Sequence, residues 1–266
     1  DLMLRSSRRE FLKVGLAGAA MAAVGPRPVF GAGRVVGLIF PPANYPVPPE
    51  AQQLYPSIRF LSEGLGLERM TPAEYDRVMD RVIPAATKLA KAGAEAISVN
   101  GSSLTFYKGA AFNHDLIESV KKATGVPATT QSMALVNGLR VFGARRVGVA
   151  TAYTQEVDRR LKIFLEESGF EVLAIRGLDI ERFEDRPPVT QDDVLKLAVS
   201  VRETVPQADA MVISCGALRT IDILVPFEER CKLPVVSSNP HGLWDAVRLV
   251  GHSGKAPGFG TLLAKG

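Results

Sequence analysis

Ala210-Met-Val-Ile-Ser-Cys-Gly216 is the stretch on which the fold turns. Ala210 to Ile213 is a continuous apolar run, the pattern of a strand buried on both faces of a parallel sheet, and it stops at Ser214-Cys215-Gly216. Cys215 therefore stands at a strand end, where open α/β sheets bind ligands and where backbone N–H groups can meet an anion. Gly216 permits close backbone approach. A buried structural thiol is the alternative reading.

The stretch has an echo upstream. Ala94-Glu-Ala-Ile-Ser-Val-Asn-Gly-Ser102 superposes without a gap on Ala208 to Gly216, with Ala94 matching Ala208 and Gly101 matching Cys215, an offset of 114 positions. Arg34-Val-Val-Gly-Leu38 resembles Arg145-Arg-Val-Gly-Val149, and Gly125-Val-Pro-Ala-Thr-Thr130 resembles Lys232-Leu-Pro-Val-Val-Ser237. Three pairs in the same order point to a duplicated α/β unit. The expected architecture is two similar lobes with parallel sheets flanked by helices, related by a pseudo-two-fold axis, with the active site in the cleft between them. Residues 34–144 plus 234–266 are expected to form the first lobe, and 145–233 the second.

Residues 1–33 read as a separate segment. Ser7-Arg-Arg-Glu-Phe-Leu-Lys13 precedes an apolar stretch from Val14 to Val24, too short to span a bilayer, and small residues at Gly31 and Ala32 offer a cleavage site. This is the pattern of a twin-arginine signal peptide, which predicts the export machinery as a partner, a periplasmic mature protein and no stable membrane anchor. The segment carries five basic and two acidic residues, so it supplies +3 of the formal +4 charge. The body is nearly neutral, and no nucleic-acid partner is expected.

Cys215 and Cys231 are too few for a disulfide scaffold, and His114, His241 and His252 fall in no metal-ligand spacing. No metal is expected. Without a Walker loop or a strand-linked GxGxxG, no nucleotide cofactor is expected either.

The body alternates as a βαβ array. Strands are expected at 34–40, 94–100, 127–130, 146–150, 170–175, 210–214 and 234–237. A Pro-rich loop follows Phe40. Thr71-Pro-Ala-Glu74 opens a helix to about Ala92, and further helices are expected over 112–124, up to Gly143, over 154–168, 191–205 and 243–250. His241 is expected as a surface or capping residue, Trp244 as packing, and Cys231 as structural.

Several segments together resemble the arylmalonate decarboxylases, members of the aspartate/glutamate racemase superfamily that also contains maleate isomerase. They are Gly37-Leu-Ile-Phe-Pro-Pro42, Gly64-Leu-Gly-Leu67, Gly101-Ser-Ser-Leu-Thr-Phe-Tyr-Lys-Gly-Ala-Ala-Phe112, Ala150-Thr-Ala-Tyr153, Ser214-Cys-Gly216, Val235-Val-Ser-Ser238 and Trp244-Asp-Ala-Val-Arg-Leu249. The resemblance implies that Cys215 is the proton donor. It implies that Ser102, Ser103, Tyr153 and Gly216 form a dioxyanion hole with backbone N–H groups near Ser103, Cys215 and Gly216. Pro41, Leu67, Met70 and Gly101 are implied to line the substrate pocket, and Gly101 stands where the racemases and isomerases carry a second cysteine. Ser102 departs from the threonine of the family, and Phe183 and Arg186 replace smaller apolar residues.

The implied activity is cofactor-free decarboxylation of a small dicarboxylic acid, an α-substituted aryl or alkenyl malonate. Losing CO2 needs an electron sink, and hydroxyl and N–H donors aimed at the remaining carboxylate provide one, each contributing about 3 kcal/mol in a dry site. A thiol of ordinary pKa about 8.5 stays protonated near neutrality and so has a proton to give. The rivals are an isomerase or racemase of the same superfamily, which would need a thiol at Gly101, and a periplasmic solute-binding protein, which would need none at Cys215.

Overall fold

The computed structural model describes residues 34–182, 184 and 188–266. The first half contains strands β1 (Val35–Phe40), β2 (Arg59–Gly64), β3 (Ala96–Val99) and β4 (Ala128–Thr130). Its helices are α1 (Pro49–Leu54), α2 (Pro72–Met79), α3 (Val82–Lys91), α4 (Ser102–Phe106), α5 (Gly109–Thr124) and α6 (Gln131–Val141). The second half contains β5 (Arg146–Thr151), β6 (Glu171–Gly177), β7 (Ala210–Ser214) and β8 (Val235–Ser237). With them come α7 (Gln155–Glu167), α8 (Gln191–Thr204), α9 (Leu224–Cys231), α10 (Ser238–Leu249) and α11 (Thr261–Lys265).

The strands form two four-stranded parallel sheets of the same order, β2-β1-β3-β4 and β6-β5-β7-β8. The duplication read in the sequence is thus a duplication of sheet topology. β3 and β7, the two echoing stretches, are buried along their whole length, as continuous apolar runs require. Each central strand carries a glycine beside the third strand, Gly37 paired with Ile97 and Gly148 paired with Met211. A Cβ at Gly37 would stand 2.8 Å from Ile97 Cδ1, and one at Gly148 2.6 Å from the Met211 sulfur. Both halves therefore use the same absent methyl group to seat a side chain of the neighbouring strand, and overpacking at such a place costs about 1–3 kcal/mol.

The chain differs from its sequence reading in several places, among them the helices α4, α9 and α11, which were not expected. The stretch that follows the Pro-rich loop, for which no element was expected, contains α1 and β2. β2 is an edge strand with only Phe60 buried, so it lacks the apolar run by which the others were visible. The helix expected over 71–92 is two helices, broken at Asp80-Arg81, although its start is as expected: Thr71 Oγ1 accepts from the Glu74 N–H and Pro72 opens the first turn. α10 begins at Ser238, five residues before the expected start at Leu243. Pro240 fits in its first turn because a proline lacks only an N–H that has no intrahelical partner there. The lobe boundary shifts as well: β8, expected in the first lobe, pairs with β7 in the second sheet, while α10 packs on α6, β3 and β4.

The helix that follows each sheet's last strand thus crosses the molecule. α6 packs along α10 and reaches β8, where Gly138 admits Val236 and Leu262. This α6/α10 seam holds the halves together directly behind the strand ends.

Candidate active site

β3 ends at Asn100-Gly101, with Gly101 in the left-handed region at φ 85°. The turn delivers Ser102 and Ser103 to the start of α4. Its counterpart β7 ends at Ser214 and hands on to Cys215 and Gly216. The two ends face a common cavity of about 170 Å³. Gly101, Ser103, Cys215 and Gly216 line its floor, and Pro41, Leu67 and Met70 line its walls with Phe40 and Tyr45. Seven of the nine residues nominated from the sequence meet there.

Ser102 and Tyr153 do not line this cavity; they lie behind it, fully buried. Ser102 Oγ is 2.9 Å from Tyr153 Oη and 3.0 Å from Ser238 Oγ, and it accepts from Ser214 Oγ at 3.2 Å. Tyr153 Oη is 3.3 Å from Ser214 Oγ. Four hydroxyls from both halves therefore satisfy one another in the ligand-free protein. Ser214 and Ser238 were not nominated from the sequence, and only their meeting with Ser102 marks them.

The backbone donors are divided. Cys215 N–H donates to Ser238 Oγ at 3.1 Å, and the N–H groups of Gly101 and Ser102 donate to Gln131 Oε1 at 2.9 and 3.0 Å. The expected contribution of the Cys215 N–H to an oxyanion hole is therefore taken up inside the protein. Among the described residues, the N–H groups of Ser103 and Gly216 have no acceptor, and both residues line the cavity.

Tyr75 on α2 is a further polar group at this place. It is fully buried, its hydroxyl has no hydrogen-bond partner, and Ser103 stands close by. A buried hydroxyl left unpaired costs about 1–3 kcal/mol, so it is a donor in search of an acceptor. A tyrosine inside an amphipathic helix gives no such signal in sequence.

Burial pushes the Cys215 thiol up to about 11, against the opposing pull of the Ala217 and Leu218 N–H groups and Tyr153. Tyr153 is raised well above the ordinary phenol range, first by burial and then by the neighbouring thiol. At neutral pH the floor is thus an array of protonated donors. Cys231, half-buried at the end of α9, lies outside it, and both cysteines are free.

His241 is a capping residue, as one of the two expectations had it, but it is not at the surface. It is buried inside α10, where its Nδ1 accepts from the Ser237 N–H at 2.7 Å, and burial lowers its pKa to about 4. Trp244 is fully buried as packing. At the cavity mouth, the loops after β2 and β6 meet: Met70 N–H donates to the Glu181 carbonyl at 3.1 Å, and Arg69 pairs with Glu181 at 3.3 Å. Phe183, Arg186 and the leader of residues 1–33 lie outside the described residues. Among the described residues, no group of three His, Cys, Asp or Glu side chains is placed to hold a metal ion.

This arrangement has relatives. The model of the arylmalonate decarboxylase family matches residues 36–263. Arylmalonate decarboxylase of Bordetella bronchiseptica is 45% identical over 228 residues, covering 85% of this chain and 95% of that protein. A maleate isomerase of Nocardia farcinica is 25% identical over 242 residues, covering 86% and 95%. In structure, a glycine-to-cysteine, cysteine-to-serine double mutant of arylmalonate decarboxylase in its liganded form superposes with a TM-score of 0.85 at 43% identity, over 88% of this chain and 100% of that one. A maleate isomerase from Pseudomonas putida shares the fold, with a TM-score of 0.80 at 22% identity over 87% and 98% of the two chains. The chain belongs to the arylmalonate decarboxylase family.

Proposed function

We propose that the protein decarboxylates an α-aryl or α-alkenyl malonate without a cofactor, through an enediolate that Cys215 protonates. The observation that carries this reading is the buried thiol on the cavity floor with glycine, and no second thiol, at the matching strand end.

One substrate carboxylate sits on the floor, where the Ser103 and Gly216 N–H groups and the Tyr75 hydroxyl lack acceptors and the Ser102–Tyr153 hydroxyl cluster stands behind them. The other carboxylate faces Pro41, Leu67 and Met70. The bond from the α-carbon to that second carboxylate breaks, CO2 leaves, and the electron pair passes into the retained carboxylate as an enediolate. Fixed donors stabilise this added charge more than they stabilise the ground state, which is the condition for faster chemistry. Apolar walls favour departure of the charged group as neutral CO2. Cys215 then gives its proton to the α-carbon, a C–H bond forms, and the thiolate recovers a proton from water. With its pKa near 11 the thiol is fully protonated before the step, and the thiolate is basic enough to be reprotonated afterwards.

A maleate isomerase-like reaction is disfavoured by Gly101, since the resemblance implies a cysteine there. The reading is tested by turning over α-methyl-α-phenylmalonate in D2O. One CO2 per molecule and one deuterium on the α-carbon of a single enantiomer are expected, with turnover lost in Cys215→Ala. A racemic product, or full turnover by Cys215→Ala, would overturn it; maleate and aspartate serve as controls for the isomerase and racemase reactions.

We also propose that Ser7-Arg-Arg-Glu-Phe-Leu-Lys13 directs twin-arginine export to the periplasm, with cleavage near Gly31 or Ala32. Arg8→Lys with Arg9→Lys should leave precursor in the cytoplasm, and normal periplasmic protein from that variant would refute the assignment.

A further inference from the structure

We infer that Gln131 and Asn239 form an amide clamp that fixes the spacing of the two strand ends, and that Gln131 is a positioning residue for the reaction. The inference rests on the carboxylate-holding reading above and goes beyond it to groups that do not take part in the chemistry.

The clamp has only one self-consistent polarity. Gln131 Oε1 accepts from two N–H groups, Gly101 and Ser102, at 2.9 and 3.0 Å. Only the oxygen of an amide can do so, and its NH2 group must then face the other way. It donates to Asn239 Oδ1 at 2.9 Å. Asn239 in turn directs its Nδ2 at the Gly216 carbonyl at 2.7 Å and at Glu50 Oε1 at 3.4 Å. Both of those are acceptors, so the orientation set at Gly101 is carried without a break to Gly216.

Place and burial argue the same way. Gln131 opens α6, directly after the last strand of the first sheet, and Asn239 lies in the first turn of α10, after the last strand of the second. Their bond therefore crosses the α6/α10 seam between the halves. The side chains are 1% and 7% exposed, so neither amide has water as an easy substitute partner. Gly216 leaves room for the pair: a Cβ there would stand 3.1 Å from Gln131 Oε1 and 3.3 Å from Asn239 Oδ1. Gln131 does not line the cavity, whereas Asn239 stands at its edge beside Gly216. Gln131 holds Gly101 and Ser102, which lead into Ser103, and through Asn239 it holds Gly216; Ser103 and Gly216 are the residues whose N–H groups lack acceptors among the described residues. Opening the clamp would let those donors drift apart, and a misplacement of about 1 Å costs on the order of a hundredfold in rate.

The test compares Gln131→Met, Asn239→Leu and the double variant with the parent on α-methyl-α-phenylmalonate. Each single change should lower kcat about 10- to 100-fold while KM stays within about threefold. The double variant should lose no more than the worse single, because either change opens the same clamp. Unchanged kcat, an effect confined to KM, or losses that multiply would each overturn the proposal. Asn239 itself lines the cavity, and Asn239→Leu keeps the shape of its side chain without placing a charge there, so it decides the matter even if Gln131→Met does not fold: parent-like circular dichroism with full turnover refutes the clamp, and parent-like circular dichroism with reduced kcat at unchanged KM supports it. Cys215→Ala run alongside separates the two readings. If Cys215→Ala keeps its turnover, the thiol reading fails whatever Gln131 does; if it loses turnover while the clamp variants do not, only the clamp fails.

Discussion

Asn100-Gly101-Ser102 and Ser214-Cys215-Gly216 end corresponding strands of two sheets built in the same order, yet the glycine and the residue with a side chain have exchanged places. The first end is more than a thiol short. A Cβ at Gly101 would stand 2.2 Å from Pro41 Cγ on a backbone already at φ 85°, so that face is closed by a proline ring. The second end projects Cys215 into the cavity with its N–H anchored on Ser238. Backbone symmetry presents two strand ends to one cavity, and under the proposed mechanism the choice of residue at one position per half leaves one of them able to deliver a proton.

The sharpest way to break that comparison is to remove the thiol. Cys215→Ala should lower kcat about 10²- to 10⁴-fold, the usual contribution of a positioned general acid, while circular dichroism stays unchanged. CO2 release measures it. Next come the phenols, one from each half. Tyr153→Phe should cost about 10²-fold in kcat and lower the melting temperature, because it removes the hydroxyl that Ser102 and Ser214 share and leaves them only each other and Ser238. Tyr75→Phe should also lower kcat but raise the stability of the ligand-free protein by about 1 kcal/mol, because it deletes a hydroxyl with no partner. Calorimetry without ligand gives the two signs, and a stability loss in Tyr75→Phe would mean that its hydroxyl is already satisfied.

Moving the thiol is a smaller effect. Gly101→Cys placed in Cys215→Ala should recover about tenfold of the lost rate and give the mirror-image product, with recovery limited by misplacement. Adding Pro41→Ala, which removes the ring that occupies the new side chain's place, should raise the recovery a further few-fold. Chiral chromatography decides it: product of the parent's handedness would show that the strand ends do not flank the substrate.

The smallest effect lies behind the second half's central strand. β5 ends in Thr151, whose Oγ1 donates to Asp158 Oδ1 at 2.6 Å and accepts from the Tyr153 N–H at 3.1 Å, whereas β1 runs into Pro41-Pro42 with no titrating partner. Burial, against the opposing Thr151 hydrogen bond, raises the Asp158 carboxyl to about 6. The folded protein thus holds this proton more tightly than the unfolded chain, so the cost of the ionised carboxylate is fully present above pH 6 and fades as pH falls toward 4. Asp158→Asn should therefore melt a few degrees above the parent at pH 7 and near it at pH 4. His241 works in the opposite sense, losing stability as pH falls from about 6.5 toward 4, but it is common to both proteins and cancels in the difference.

How much of this was legible in the chain depended on whether a residue's role could be seen from its neighbours. β3 and β7 were visible because burial on both faces demands an unbroken apolar run, and Gly101 and Cys215 because they follow such runs directly. β2 was not, since an edge strand with Phe60 as its only buried residue carries neither run nor alternation. Pro240 concealed the start of α10 because a proline reads as a stop unless its place in the first turn is known. In the site, Ser102 and Ser103 were marked by position and family resemblance. Gln131 and Asn239 were not: they are 108 residues apart, and each is an ordinary helix-start polar residue until the other is beside it.

The crossing of α6 and α10 between the halves has an evolutionary consequence. A homodimer of one such half would dock its crossing helix on its twin in the same manner, but every substitution would then appear twice, and the site would hold two thiols or two glycines. Covalent fusion of the duplicate copies removes that constraint. A single chain can keep a paired backbone while its two strand ends mutate independently, and under the proposed mechanism the handedness of the product then rests on one codon.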